Sequence, residues 1–151
     1  MKRKILYGIG AVIAIAILAF AYYAISPLFR NVKIDEKAPT TQETQETTMN
    51  APAPVIGTTL HPASGTARVA RGENTSYIRY ENFKTINGPD LYVYLATTLE
   101  AKDFVNLGTL KATEGNVNYE IPAGVDVKKY HYVLVWCKQF GVLFNYANIS
   151  G

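Results

Sequence analysis

The sequence predicts an all-β domain, a small antiparallel sandwich or barrel, preceded by one N-terminal transmembrane helix. Three observations carry this. Residues 57–151 break into short runs rich in Val, Ile, Tyr and Phe, separated by Gly, Pro, Asn and Asp. About eight such runs recur at spacings of roughly 8–12 residues, the pattern of two-layer and barrel β proteins. Ahead of them lies an uncharged apolar run from Ile5 to Ile25, and between the two a polar stretch with little to bury.

The division of charge follows the same boundaries. Lys2, Arg3, Lys4 and Arg30 stand in the first 30 residues without an acid, whereas residues 57–151 are nearly neutral. The net charge of +3 is therefore a property of the N-terminus. Phosphate binding needs clustered Lys and Arg, so the domain is not expected to bind nucleic acid.

Residues 1–4 read as a basic cytoplasmic tail and residues 5–25 as a signal anchor. At ~1.5 Å per residue the run spans the roughly 30 Å hydrocarbon core of a bilayer. Tyr7, Tyr22 and Tyr23 lie near its ends, where amphipathic rings favour the headgroup zone, and the basic residues hold the N-terminus inside. Pro27 ends the helix. Ala19-Phe20-Ala21 also has the small-x-small form of a signal peptidase site. Retained or cleaved, the segment implies a domain outside the cytoplasm, and retention gives a single-pass protein of the cell membrane. Residues 26–56, with the near-repeat Thr41-Gln42-Glu43-Thr44-Gln45-Glu46-Thr47, read as a low-complexity linker that gives the domain reach.

From Gly57 the strands follow in order. Ser64–Arg71 alternates weakly. Ser76–Phe83 places Tyr77, Arg79, Glu81 and Phe83 on one side and Ile78, Tyr80 and Asn82 on the other. Leu91–Thr97 is the clearest strand, preceded by the turn Asn87-Gly88-Pro89-Asp90. Phe104–Leu110 and Val117–Ile121 are separated by an expected turn at Glu114-Gly115-Asn116. Tyr130–Cys137 and Val142–Ile149 form a hairpin. A helical turn is expected only around Leu99–Phe104.

These residues resemble a known family. His61 with Gly65-Thr66, Phe83-Lys84-Thr85, the run Asn87-Gly88-Pro89-Asp90-Leu91-Tyr92-Val93-Tyr94-Leu95, Leu107-Gly108, Asn118-Tyr119-Glu120-Ile121-Pro122, and Trp136-Cys137-Lys138 with Phe140 and Phe144 together resemble the electron-transfer DM-13 domain. The resemblance spans about residues 57–149. It implies an extracytoplasmic β domain on a cell-surface protein, with electron transfer through one signature cysteine that corresponds to Cys137. That cysteine would act either as a free thiol or as a ligand to a prosthetic group, haem or a metal. Trp136, Lys138 and Asp90 are the neighbouring residues of interest, and a redox or cell-surface protein is the expected partner.

Cys137 is the only cysteine, so it cannot form an internal disulfide. Alternation puts it with Val133 and Val135, opposite Tyr132, Leu134 and Trp136. If the valines face the core, the thiol is a small buried hydrophobe. If it is exposed, it is available to react, although Lys138 should point away from it. His131 falls on the other face of the strand, ~20 Å distant, and His61 could approach only through the fold. Asp90 suits a turn residue bonding local backbone better than a cation ligand. Asn74 and Asn148 each begin a glycosylation acceptor triplet. No phosphate loop, cysteine pair, nucleophile elbow or acid–base pair can be named, so no enzyme is expected. The second reading is a surface module that binds glycan or protein through the tyrosines Tyr77, Tyr80, Tyr92, Tyr94, Tyr119, Tyr130, Tyr132 and Tyr146, with Cys137 structural.

Overall fold

A computed structural model describes residues 2–39, 48–71 and 75–150. The apolar run forms one helix, α1 (Lys2–Ile25), whose stretch Tyr7–Ile25 has mean hydropathy 2.3 and is long and apolar enough to cross a membrane. A 3₁₀ turn, Ser26–Phe29, follows with Pro27 inside it, where the missing N–H costs nothing.

Eleven strands follow among the described residues: β1 (Lys33–Asp35), β2 (Thr48–Met49), β3 (Ala53–Pro54), β4 (Ile56–Gly57), β5 (Ala63–Arg71), β6 (Ser76–Thr85), β7 (Leu91–Ala96), β8 (Phe104–Thr109), β9 (Glu114–Ile121), β10 (Tyr132–Cys137) and β11 (Val142–Asn148). They make two sheets, as the all-β reading requires. The first runs β1-β9-β6-β5-β2 with β3 also on β5, and the second runs β4-β11-β10-β7-β8. Pairing is antiparallel except between β1 and β9, which run parallel. Between the sheets lies the core, with Val69, Ile78, Tyr80, Phe83 and Tyr119 from the first and Val93, Leu95, Val133, Val135 and Phe144 from the second.

Three local expectations are corrected. Phe83 was expected beside Arg79, yet it is buried with Tyr80, ring centroids 4.5 Å apart. A bulge between Tyr80 and Phe83, with Asn82 in the left-handed region (φ 49°), inserts a residue and flips the alternation. Glu114-Gly115-Asn116 is not a turn but the start of β9. Leu99–Phe104 is not helical, because Ala101 at φ 50° cannot continue a right-handed turn. The short helical turn lies instead at Val127–Lys129, where the Asp126 carboxylate accepts from the Lys128 N–H at 3.0 Å.

The stretch expected to be a solvated linker is partly built into the sheets. β1 adds to the free edge of β9, and β2, β3 and β4 add to β5 and β11. Edge pairing uses main-chain N–H and C=O groups, so a polar sequence can do it with few apolar side chains. Ile34 packs against the core and Val55 enters it. Residues 40–47, which hold the near-repeat, lie outside the described residues. The join to α1 is short: the Asn87 Nδ2 donates to the Arg30 carbonyl at 3.1 Å, and Val32 and Thr113 exchange backbone and hydroxyl bonds. The domain therefore begins within a few residues of the helix end.

β1 can dock because Gly115 has no side chain. Its φ is +115°, and a Cβ there would lie 1.9 Å from the Ile34 carbonyl oxygen. Further along, Glu36 and Lys37 close over Asn118 and Arg79. Asn118 N donates to the Glu36 carboxylate at 2.7 Å, and Arg79 donates to Asn118 Oδ1 at 2.9 Å. Arg68 and Arg79 stand opposite each other across β5 and β6, and Glu81 accepts from both. Burial alone would raise the Glu81 pKa; the hydrogen bonds from the two guanidinium groups prevail and hold it below the usual carboxylate value.

Two outcomes follow. Gly115→Ala should unseat β1 and cost about 1–3 kcal/mol in denaturant unfolding, with the loss of protection at Ile34 visible by hydrogen exchange. Glu81→Gln should cost about 2 kcal/mol, less than the ~3–5 kcal/mol of a fully buried pair because Glu81 keeps some contact with water. A carboxylate held below its ordinary value stabilises fully above that value, and the contribution is lost as pH falls through the folded one. The stability of the variant should accordingly fall less steeply than that of the parent below about pH 4.5.

Candidate functional site

The site is built at one end of the second sheet. β10 is a central strand there, flanked by β7 and β11, so its residues are covered on both edges. Cys137 is its last residue, paired with Leu91 on β7 and Val142 on β11. It faces the core with Val133 and Val135 and is 1 % exposed. The next residue already leaves the sheet: Lys138 N donates to the Asp90 carbonyl at 2.9 Å, closing the end of the strand against the Asn87–Asp90 turn. The sulfur is thus buried, yet one residue from an exposed turn.

The residues singled out with it separate as alternation requires. Trp136 faces the opposite side of the sheet, across from Tyr92 and Leu143. Lys138 is exposed and lies on that same side, its Nζ 5.2 Å from the Tyr92 ring centroid. Neither serves the sulfur. The backbone of Asp90 holds Lys138, while the side-chain bonds of the turn come from Asn87, whose Oδ1 accepts from Gly88 N at 2.9 Å. His131 precedes β10 at the far end of the sheet. His61 stacks on Phe144, ring centroids 3.8 Å apart, with its Nδ1 2.8 Å from the Thr58 hydroxyl. Partial burial lowers its pKa, which favours the neutral ring.

Six of the eight tyrosines divide between two surfaces, while Tyr130 packs partly buried against the core and Tyr77 lies on β6 of the first sheet. Tyr80 and Tyr119 are core residues, and burial raises the pKa of both. Tyr92, Tyr94, Tyr132 and Tyr146 stand on the outer face of the second sheet with Trp136 and Leu143, covering Leu134 and Ala96 beneath. Phe104 stacks on Tyr94 with centroids 4.2 Å apart. Sequence reasoning had the tyrosines, and Leu134 on the side of Tyr132 and Trp136, but not Phe104 or Leu143 as members of this face. Alternation within β7, β10 and β11 holds the signal, and only the pairing register joins the three rows.

A model of the electron transfer DM13 family matches residues 56–149. The chain belongs to the DM13 family. No curated protein and no solved structure matches it.

A haem on the cysteine of a DM13 domain would need room beside the sulfur, and a metal ion would need further donors there. The surroundings of Cys137 do not fit haem or a metal ion in this conformation. Its neighbours Leu91, Val135 and Val142 are apolar, His61 stacks on Phe144, and His131 lies at the other end of the strand. Among the described residues no three His, Cys, Asp or Glu side chains gather as a metal site. A groove of about 340 Å³ lies on the first sheet, between Lys33, Asp35, Asn82, Lys84 and Glu114, and does not border the sulfur. What the arrangement can offer is a shielded thiol. Full-length protein should react with a maleimide about 10²-fold more slowly in native buffer than in guanidinium, the factor expected for opening a strand end at a cost of a few kcal/mol. Mass spectrometry of the alkylated protein reads the rate.

Proposed function

We propose that the chain is a membrane-anchored, extracytoplasmic redox domain in which Cys137 is the reacting group. Membership of the electron transfer DM13 family and the burial of the single thiol at a strand end support this reading. The second carries it most directly: a sulfur sealed by apolar side chains survives in an oxidising compartment, and one at a strand terminus reaches a partner by local opening alone. The basic residues at the start of α1, Lys2, Arg3 and Lys4, support the inside orientation of the N-terminus.

The step open to such a thiol is exchange with a disulfide of a partner protein. Cys137, as thiolate, attacks one sulfur; the partner's sulfur–sulfur bond breaks and a mixed disulfide forms. The leaving thiolate takes up a proton, so the partner is reduced as Cys137 is oxidised. Opening has to lift the 138–141 turn, because the strand end at Cys137 is held by its pairing with Val142 and by the Lys138 N–H bond to the Asp90 carbonyl.

A second reading has its own support. The outer aromatic face of the second sheet, with Trp136, Tyr92, Tyr132 and Tyr146 side by side, has the ring area and polar tips that suit a glycan or protein contact. There Cys137 only fills the core. The two readings part on one experiment. Val142→Ala should raise the rate of mixed-disulfide formation with glutathione disulfide about tenfold while shifting global stability little, since Val142 is 38 % exposed. An exchange rate that follows only global unfolding across a denaturant series would leave the thiol structural and favour the binding face.

A further inference from the structure

The anchor helix and the β10–β11 hairpin touch. Phe20 of α1 meets Phe140 at the hairpin tip edge to face, ring centroids 6.5 Å apart, and the Tyr23 hydroxyl donates to Gln139 Oε1 at 2.9 Å. Phe20 lies five residues inside the helix end at Ile25, a depth of ~7.5 Å along the axis. In a helix whose apolar stretch matches the roughly 30 Å hydrocarbon core, that depth is within the outer leaflet. A ring packed on Phe20 cannot then stand clear in water.

The rest of that end agrees. The turn after β4 reaches it through the Thr58 N–H bond to the Phe144 carbonyl, and carries Leu60 at 79 % exposure. Phe140 is 46 % exposed and Val142 lies beside it. The chain from α1 enters at the same end, through Arg30 on Asn87 and Val32 on Thr113. Three exposed apolar side chains thus surround the point where the anchor joins the domain. Trp136 and Tyr92 continue the surface up the outer face of the sheet, and such rings favour the membrane–water boundary. Lys138 and the exposed Arg30 add cations that suit headgroup phosphates.

We infer that the domain sits directly on the bilayer, with Phe140, Val142 and Leu60 in the lipid interface beside its own anchor. The occupant of this apolar end is lipid. The inference rests on the anchored reading of α1, and it gives the thiol an address: Cys137, one residue from Lys138, lies at the membrane face of the domain, and the turn that must lift to expose it is the turn held by lipid.

Single-tryptophan chains test it. In full-length Trp136→Phe protein reconstituted into phosphatidylcholine vesicles, Phe20→Trp, Phe140→Trp and Phe104→Trp are compared with and without bromine on the acyl chains. Quenching of the first two by about half or more, with Phe104→Trp unquenched at the opposite end, is the expected result. Quenching of Phe20→Trp alone would leave the anchor in place and overturn the seated domain. No quenching of Phe20→Trp would remove the anchored reading itself. Quenching of all three would lay the domain on its side and also overturn the inference. Should Trp136→Phe fail to fold, fluorophenylalanine incorporated into the unaltered chain gives the same answer, through broadening of the Phe140 resonance by spin-labelled lipid; an unbroadened Phe140 signal beside a broadened Phe20 signal overturns it.

Discussion

The structure depends on how closely one backbone approaches another. At Gly115 the Ile34 carbonyl comes within a distance that no side chain permits, and that approach admits β1 as a parallel edge strand on β9. Because β1 starts a few residues after α1, the same contact fixes which end of the sandwich faces the helix. The Glu36–Asn118–Arg79 bonds continue the fastening along the outer face, and Glu81 allows two arginines to stand opposite each other there. Without this edge the domain would hang on a free chain. With it, the hairpin holding the thiol is brought to the helix.

The chemistry of Cys137 is set by position more than by partners. Its neighbours are apolar, and the adjacent Lys138 and Trp136 turn to the other face, as strand geometry obliges. Core packing alone would make the sulfur inert. Its place as the last residue of β10 changes the cost of exposing it, since strand ends open at a fraction of the free energy of the whole domain. Shielding and local exposure are therefore compatible at this position.

The outer aromatic face shows how one composition serves several ends. Tyr80 and Tyr119 fill the core, while Tyr92, Tyr94, Tyr132 and Tyr146 cover a second apolar cluster on the outside of the sheet. Rings with polar tips cover Leu134 without leaving a wholly apolar surface. Near Phe140 this face runs into the apolar end of the domain, so contact with lipid and contact with a partner would share a border.

By itself the sequence determined the class of fold, the helix, most strand positions, and the side of β10 on which Cys137 lies, because each depends on periodicity or composition within a few residues. It resembled DM13 through motifs spread along the chain, and the family match bears that out. Other features escaped it. The flip of Phe83 needed the bulge at Asn82, a single left-handed residue that leaves no pattern. The polar stretch after the helix looked like a tether because its side chains bury little, whereas edge strands are held by main-chain bonds that every residue carries. The aromatic face and the contact of Phe20 with Phe140 join residues far apart in the chain, and only strand register and the docking of β1 bring them together.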